Sequence, residues 1–245
     1  MARRALVTGA SRGIGAAIAH ALAESGHQVA VHYRSGADRA REVAESLPGD
    51  GHVTVQGDLG ANRAEQIVSE TVGKLGGLDV LVNNAGIYFR HPIATTSFDE
   101  WQQAWRRTIE LNLHGPADLT WHAVRHMSSG SRIINIGSRG AYRGEPDAPA
   151  YGAAKAGLHA MTQSLAQSLA PQGIAVAGVA PGFVRTDMVT DLLASPEGDA
   201  IRAQSGFDRV AEPEEVAAAV AWLATEKATW ASGTIIDVNG ASYLR

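Results

Sequence analysis

The sequence predicts an α/β fold: a doubly wound, parallel, seven-stranded sheet with helices on both faces, built as a single domain over residues 1–245. Three observations lead to that expectation. Short β-branched runs alternate with longer amphipathic segments, the pattern that βαβ units leave in a sequence. The 245 residues suit one α/β domain with a sizeable core. Neither a low-complexity tract nor a repeat of solenoid period interrupts the alternation.

The strands fall at 4–7, 29–32, 52–56, 80–83, 132–136, 175–179 and 234–238. Between them, helix-period segments run over about 14–25, 38–46, 64–74, 98–127, 151–170 and 213–225. Gly26, Pro48, Gly76, Gly77, Gly130 and Gly173 sit at their ends, where helix stops and turns belong. The stretch 188–209 is weakly periodic and carries Pro196, Gly198 and Gly206, so it reads as a substrate lid over a cleft.

Composition removes several classes of function. The chain has no cysteine, which excludes disulfides, thiolate metal sites and a thiol nucleophile. A net charge of −4 without a basic block offers no footprint for nucleic acid or an anionic membrane. No apolar run approaches membrane-spanning length and the N-terminus lacks a signal-peptide core, so the expected location is cytoplasmic. The expected partners are small molecules and copies of the chain itself.

Chemistry enters at the first strand-to-helix turn, Thr8-Gly9-Ala10-Ser11-Arg12-Gly13-Ile14-Gly15. Gly9, Gly13 and Gly15 allow a sharp turn and a close approach of backbone to a pyrophosphate, and the helix N-terminus attracts its charge. Glycine-rich turns also occur for purely structural reasons, so the loop needs company. Tyr151 and Lys155 supply some: four residues apart near the start of a helical segment, they share a face, and an ammonium near a phenol favours the phenolate and lowers its pKa. Ser138 lies thirteen residues before Tyr151, just past a strand, and Asn112 lies within the long preceding helical region. Separately, Ser138 reads equally as a turn hydroxyl and Asn112 as a helix kink or a buried amide.

Taken in order, these segments resemble the short-chain dehydrogenase/reductase family, whose sheet is Rossmann-type, from Ala5 to about Val238. Within the family the chain resembles the bacterial 3-oxoacyl-[acyl-carrier-protein] reductase branch. The resemblance implies that Asn112, Ser138, Tyr151 and Lys155 are catalytic: Ser138 binds the carbonyl, Tyr151 donates the proton, Lys155 holds the nicotinamide ribose and tunes Tyr151, and Asn112 holds a relay water. It implies cofactor contacts from Gly9, Ser11, Arg12, Gly13, Ile14 and Gly15 in the loop. Asp58 and Leu59 after the third strand, and Asn84, Ala85 and Gly86 in the Asn-Asn-Ala-Gly turn, would line the adenosine side. Pro181, Gly182, Val184 and Thr186 would hold the nicotinamide end, together with Tyr151 and Lys155.

In relatives that prefer NAD, an Asp ends the second strand; here the position is Tyr33, followed by Arg34. With that carboxylate missing, Arg12 and Arg34 suit a 2′-phosphate, so NADP(H) is expected over NAD(H). The expected reaction is NADPH-dependent reduction of a ketone, 3-oxoacyl-type or related, to a secondary alcohol. A stand-alone ketoreductase or alcohol dehydrogenase of a biosynthetic intermediate is the alternative, a thioester being one possible substrate. A non-catalytic NADP-sensing regulator and a structural subunit are rivals of other classes, and neither needs the Tyr151 and Lys155 pair.

The arginines with which that branch grips an acidic carrier protein are replaced by Ser129 and Gln172, leaving Arg125, Arg132 and Arg139 as candidate substitutes. Tyr88, Phe89, His91, Tyr142 and Phe183 flank the matched positions and are expected to shape the pocket. His122 and His126 are spaced for a metal but lack the intervening Glu of a zinc-protease helix, so they read as solvated helix surface and no metal is expected. Trp101 and Trp105 read as packing residues. The family's central helices imply a homotetramer or a homodimer.

Overall fold

A computed structural model describes residues 2–187 and 190–245. Among the described residues, seven strands form one parallel sheet in the order β3-β2-β1-β4-β5-β6-β7. They are β1 (Arg4–Val7), β2 (Gln28–Tyr33), β3 (Val53–Gln56), β4 (Val80–Asn83), β5 (Arg132–Ile136), β6 (Ala175–Pro181) and β7 (Ile235–Val238). The order reverses direction between β1 and β4, and a crevice for a ligand opens at the carboxyl ends of the strands at such a point. β5 and β6 are buried along their whole length, as strands covered on both faces must be.

Two cores follow from the period-2 alternation of β1. Ala5 and Val7 point to one face, where Ile18 and Leu22 of α1 (Gly13–Glu24) meet Val216 and Val220 of α10 (Pro213–Leu223). Leu6 points to the other, with Ile67 and Val68 of α3 (Ala64–Leu75), Leu119 of α5 (Gly115–Ala123) and Leu169 of α7 (Pro149–Leu169). Each such Leu or Ile, fully buried, contributes about 1.5–3 kcal/mol. The strand positions expected from sequence match to within two residues at either end. The remaining helices are α2 (Ala37–Ser46), α4 (Phe98–Ile109), α6 (Gly140–Arg143), α8 (Thr190–Ala194) and α9 (Gly198–Arg202).

One expected helix is corrected. The segment expected at 98–127 is helical without a break from Phe98 to Ala123, but it is distorted and shorter: α4 passes at Ile109 into a π turn over Glu110–His114, and α5 stops at Ala123. The cause is Pro116, which has no N–H to offer the carbonyl of Asn112 four residues earlier. The turn widens there, and the Gly115 N–H reaches Glu110 O, five residues back. Gly115 also lies tight against Leu59, whose Cβ would stand 3.2 Å from a side chain at that position.

Of the expected lid, Met188 and Val189 lie outside the described residues; residues 190–209 include α8 and α9. Among the described residues no helix is long and apolar enough to cross a membrane.

Candidate active site

The loop 8–15 and the turn after β4 are locked together. Thr8 Oγ1 accepts from the N–H groups of Asn84 and Ala85, both at 2.9 Å, and Asn84 Nδ2 donates to Thr8 O at 2.8 Å. This closeness explains Gly15, where an added Cβ would stand 2.3 Å from Gly9 O and 2.9 Å from Ala10 Cα. Gly9 and Gly13 have φ of 63° and 54°, the left-handed region that side chains disfavour. The N-terminus of α1 has no side-chain cap and no acidic residue in its first turn. Its orphan N–H groups and positive end therefore suit a phosphate, and the residues present fit a dinucleotide.

A residue outside the sequence expectations completes the cradle. His32 on β2 is 2% exposed; its Nδ1 accepts from Gly9 N–H at 3.1 Å, and its Nε2 lies 3.1 Å from Gly57 O. Accepting at Nδ1 puts the proton on Nε2, so the ring is neutral and donates to Gly57 O. Burial pushes its pKa down to about 4. The imidazole thus ties the glycine loop to the end of β3. Nothing in the sequence distinguishes this His from an ordinary strand residue.

On the same side, Tyr33 closes β2 partly buried against the core, and Arg34 is exposed. Arg12 is also exposed and forms a long ion pair with Asp187 at 3.7 Å. Asp58 accepts from Gly60 N–H at 3.0 Å and caps a short turn that buries Leu59. Ser11 and Ile14 lie partly buried in the loop itself.

The catalytic candidates converge at the ends of β4, β5 and β6. Lys155, 3% exposed, donates from Nζ to Ile136 O at 2.7 Å. A Cβ at Gly86 would lie 3.4 Å from Asn112 Oδ1 and 3.7 Å from Lys155 Nζ, so the three residues meet. Asn112 is fully buried in the π turn and clasps the backbone of Ile87, accepting from its N–H and donating to its C=O, each at 2.9 Å. Both of its sequence readings, buried amide and helix irregularity, hold. Ser138 Oγ accepts from Gly140 N–H at 3.0 Å. Behind these residues Asn83 Nδ2 donates to Asn135 Oδ1, and Asn135 Nδ2 to Thr162 Oγ1, each at 2.8 Å, bracing β4, β5 and α7.

The electrostatics of Tyr151 differ from expectation. Burial pushes its phenol up to about 12; a hydrogen bond with Ser138 pulls the other way, and Glu145 and Tyr88 add to the rise. Lys155 Nζ lies 5.7 Å from the Tyr151 ring centre and is itself pushed down to about 8 by burial. The ammonium does not lower the phenol below its ordinary value; desolvation wins.

The segment 181–186, expected at the nicotinamide end, packs back on the loop. Arg139 N–H donates to Pro181 O and Gly182 N–H to Val238 O, both at 3.0 Å. Val184 bridges to Ala211, and Thr186 lies against Gly13, its Cγ2 3.2 Å from where a side chain there would begin.

Among the expected pocket residues, His91 is corrected to a structural role. It is 2% exposed, Nδ1 lies 2.7 Å from Phe89 O, and Nε2 accepts from Ala150 N–H at 3.2 Å. It therefore caps α7 one residue before Tyr151. Tyr88 meets Tyr151 edge-on at 5.2 Å, whereas Tyr142 packs on His159 at 4.9 Å and stacks with Tyr243 at 6.3 Å. Trp101 and Trp105 pack together, 5.8 Å between centres. Arg132 and Arg139 are both buried, so of the candidate carrier-protein contacts only Arg125 is exposed, its guanidinium 3.1 Å from the Trp121 ring centre. Among the described residues no cluster of His, Asp or Glu is arranged to hold a metal ion.

A Rossmann-type parallel sheet with this loop and this Asn, Ser, Tyr and Lys group defines a nucleotide-dependent oxidoreductase. The chain belongs to the short-chain dehydrogenase/reductase family. The family profile described as enoyl-(acyl carrier protein) reductase matches residues 9–241. The 3-oxoacyl-[acyl-carrier-protein] reductase FabG of Staphylococcus aureus is 37% identical over all of this chain and 99% of its own length. Among solved structures, the angucycline C-6 ketoreductase LanV with bound NADP superposes with a TM-score of 0.88 at 36% identity, covering 97% of this chain and 94% of that one. A short-chain dehydrogenase from Burkholderia cenocepacia in complex with NADP gives 0.88 at 33% identity, covering 98% and 97%.

Proposed function

We propose that this oxidoreductase uses NADPH to reduce a ketone to a secondary alcohol, with Tyr151 as the general acid. The observation that carries the reading is the Tyr151 phenol one helical turn from the buried Lys155, whose Nζ lies 5.7 Å from the phenol ring centre and meets Asn112 at Gly86, beside a cradle fitted for a dinucleotide. Held by these residues, a bound reduced nicotinamide would supply the hydride that the carbonyl carbon accepts. Ser138 and Tyr151 donate hydrogen bonds to the carbonyl oxygen, and the Tyr151 proton passes to it as negative charge develops. Lys155 Nζ, with one of its three N–H groups on Ile136 O, keeps the others for the ribose and for the relay that returns a proton to Tyr151. Asn112 and the opened π turn hold that relay's water. Gly9, Ser11, Arg12, Gly13, Ile14 and Gly15 take the pyrophosphate side, and Arg12 and Arg34 the 2′-phosphate. Asp58, Leu59, Asn84, Ala85 and Gly86 line the adenosine; Pro181, Gly182, Val184 and Thr186 hold the nicotinamide.

The substrate is a free small-molecule carbonyl. With Arg132 and Arg139 buried and Ser129 and Gln172 in place of arginines, Arg125 alone of the positions considered offers surface charge to an acidic carrier. The segment 188–209 serves as the lid of this single domain, and a second copy of the chain is the protein partner, in a homotetramer or homodimer. LanV, a ketoreductase with NADP bound, supports both the reaction and the cofactor.

The test is NADPH consumption with a panel of ketones, comparing wild type with Tyr151→Phe. Loss of the acid is expected to cut turnover at least ~100-fold, while the NADPH fluorescence change on binding persists. A Phe variant that reduces ketones at the wild-type rate overturns the assignment of the acid.

A further inference from the structure

Arg132 and Arg139 are both buried guanidiniums, 3% and 4% exposed, but only one is satisfied. Arg132 donates to Thr225 O, Gly130 O, Ser131 O and Thr229 Oγ1, at 2.6 to 3.2 Å. Arg139 makes one side-chain hydrogen bond, from Nη2 to Gln204 Oε1 at 2.6 Å, and lays its face on Phe183 at 4.9 Å. Arg143 directs Nη1 to the same Gln204 oxygen at 3.1 Å. Two cations therefore converge on one neutral acceptor. Among the described residues no carboxylate lies within ion-pair distance of either. Guanidiniums are rarely buried without a counter-charge, because their donors lose water and gain nothing in return.

Arg139 lines a cavity of about 250 Å³ together with Phe183, Phe207, Ser205, Asn239 and Ser242. The carboxylates on its wall are already neutralised: Glu215 is held by both Arg209 nitrogens at 2.6 and 2.7 Å, and Asp237 by Arg245 at 2.8 Å. Glu145 stands nearby over Gly140, beyond ion-pair distance; burial raises its pKa while the charges of Arg143 and Arg139 oppose the rise, so one carboxylate faces two guanidiniums without pairing directly with either. The cavity is left with an excess of positive charge. Arg139 directly follows Ser138, and its N–H is pinned to Pro181 O, so its backbone is held beside the serine while Gln204 and Phe183 hold the guanidinium.

We propose that this cavity is an anion subsite of the active centre, in which Arg139 and Arg143 take a carboxylate carried by the carbonyl substrate, displacing the Gln204 amide. The planar fork of a guanidinium matches the two oxygens of a carboxylate, and the Phe183 and Phe207 rings suit the apolar chain that links it to the ketone. The inference rests on the reductase reading and narrows it to oxo-carboxylic acids.

The experiment compares kcat/KM for an oxo-carboxylic acid and its methyl ester, in wild type, Arg139→Gln and Arg139→Lys. Wild type is expected to favour the acid by ~10- to 100-fold, the range for charge-assisted hydrogen bonds. Arg139→Gln should bring the ratio close to one, mainly through KM of the acid, and Arg139→Lys should restore part of it. Should the Gln variant fold poorly, the exposed Arg143→Gln is expected to lower the same ratio several-fold. A wild-type ratio near one, or a preference for the acid that survives in the Gln variant, overturns the subsite. Calorimetric titration with the acid separates the two readings: binding that depends on Arg139, without NADPH consumption on acid or ester, keeps the subsite and sinks the reductase.

Discussion

His32→Phe probes the cradle without touching any group that meets substrate. The replacement keeps a flat ring in the buried site but removes both hydrogen bonds, leaving Gly9 N–H and Gly57 C=O without their partner. Each orphaned buried group costs about 1–3 kcal/mol, so the two together predict a loss of about 2–6 kcal/mol at pH 7. The pH dependence gives a second, independent magnitude. With a folded pKa of about 4 against an ordinary 6.5, the native state binds fewer protons than the unfolded chain. The stability that His32 contributes is therefore complete above pH 6.5 and drains away as pH falls toward 4. At 1.36 kcal/mol per unit the whole window is worth about 3 kcal/mol, of which about 2 kcal/mol is gone by pH 5. Urea unfolding of wild type and variant at pH 7 and pH 5 measures both quantities. The gap between the proteins should be wide at pH 7 and narrower by about 2 kcal/mol at pH 5; because every other titrating group is common to both, the difference isolates His32. A variant as stable as wild type at pH 7, or a gap that does not change with pH, would refute the neutral-bridge account.

Two further substitutions test the cofactor side. Gly15→Ala places a methyl group against backbone, 2.3 Å from Gly9 O, which cannot swing away; NADPH fluorescence titration should show binding weakened at least ~10-fold, and unaltered binding would mean the loop is not the cradle. Arg34→Ala should raise the Kd for NADPH ~10- to 100-fold, the worth of a charge-assisted phosphate contact, and leave NADH nearly unaffected; equal weakening of both would remove the 2′-phosphate argument.

The sheet was legible because a parallel sheet covered on both faces writes itself as short apolar runs, and β5 and β6 are buried at every position. The long helix was read without its π turn and four residues too long, although the distortion was written in the chain: Pro116 cannot complete the helical bond to Asn112, and a proline inside a periodic segment is the signal to stop or distort it. Glycine spacing exposed the phosphate loop, but nothing marked His32 or His91. Each acts through backbone groups brought near by tertiary packing, and a hydrogen bond to a distant N–H leaves no periodicity behind. Arg139 was legible only as a charge. Its burial, and its single acceptor where Arg132 has four, depend on how the segments after β5 and before α10 fold together.

The charge state of the centre follows from burial acting in opposite senses on two groups. It raises the Tyr151 phenol and lowers the Lys155 ammonium, each toward its neutral form, because desolvation penalises whichever form is charged. The sequence argument, an ammonium lowering a phenol one helical turn away, assumed that attraction would outweigh desolvation. With Nζ committed to Ile136 O and 5.7 Å from the ring centre, it does not. A phenol biased toward its protonated form suits the proposed role of Tyr151 as proton donor. A phenol near 12 is fully protonated at neutral pH, so a proton is present when the carbonyl oxygen becomes negative. An alkoxide is a stronger base than a phenolate, so the transfer runs downhill even from so weak an acid.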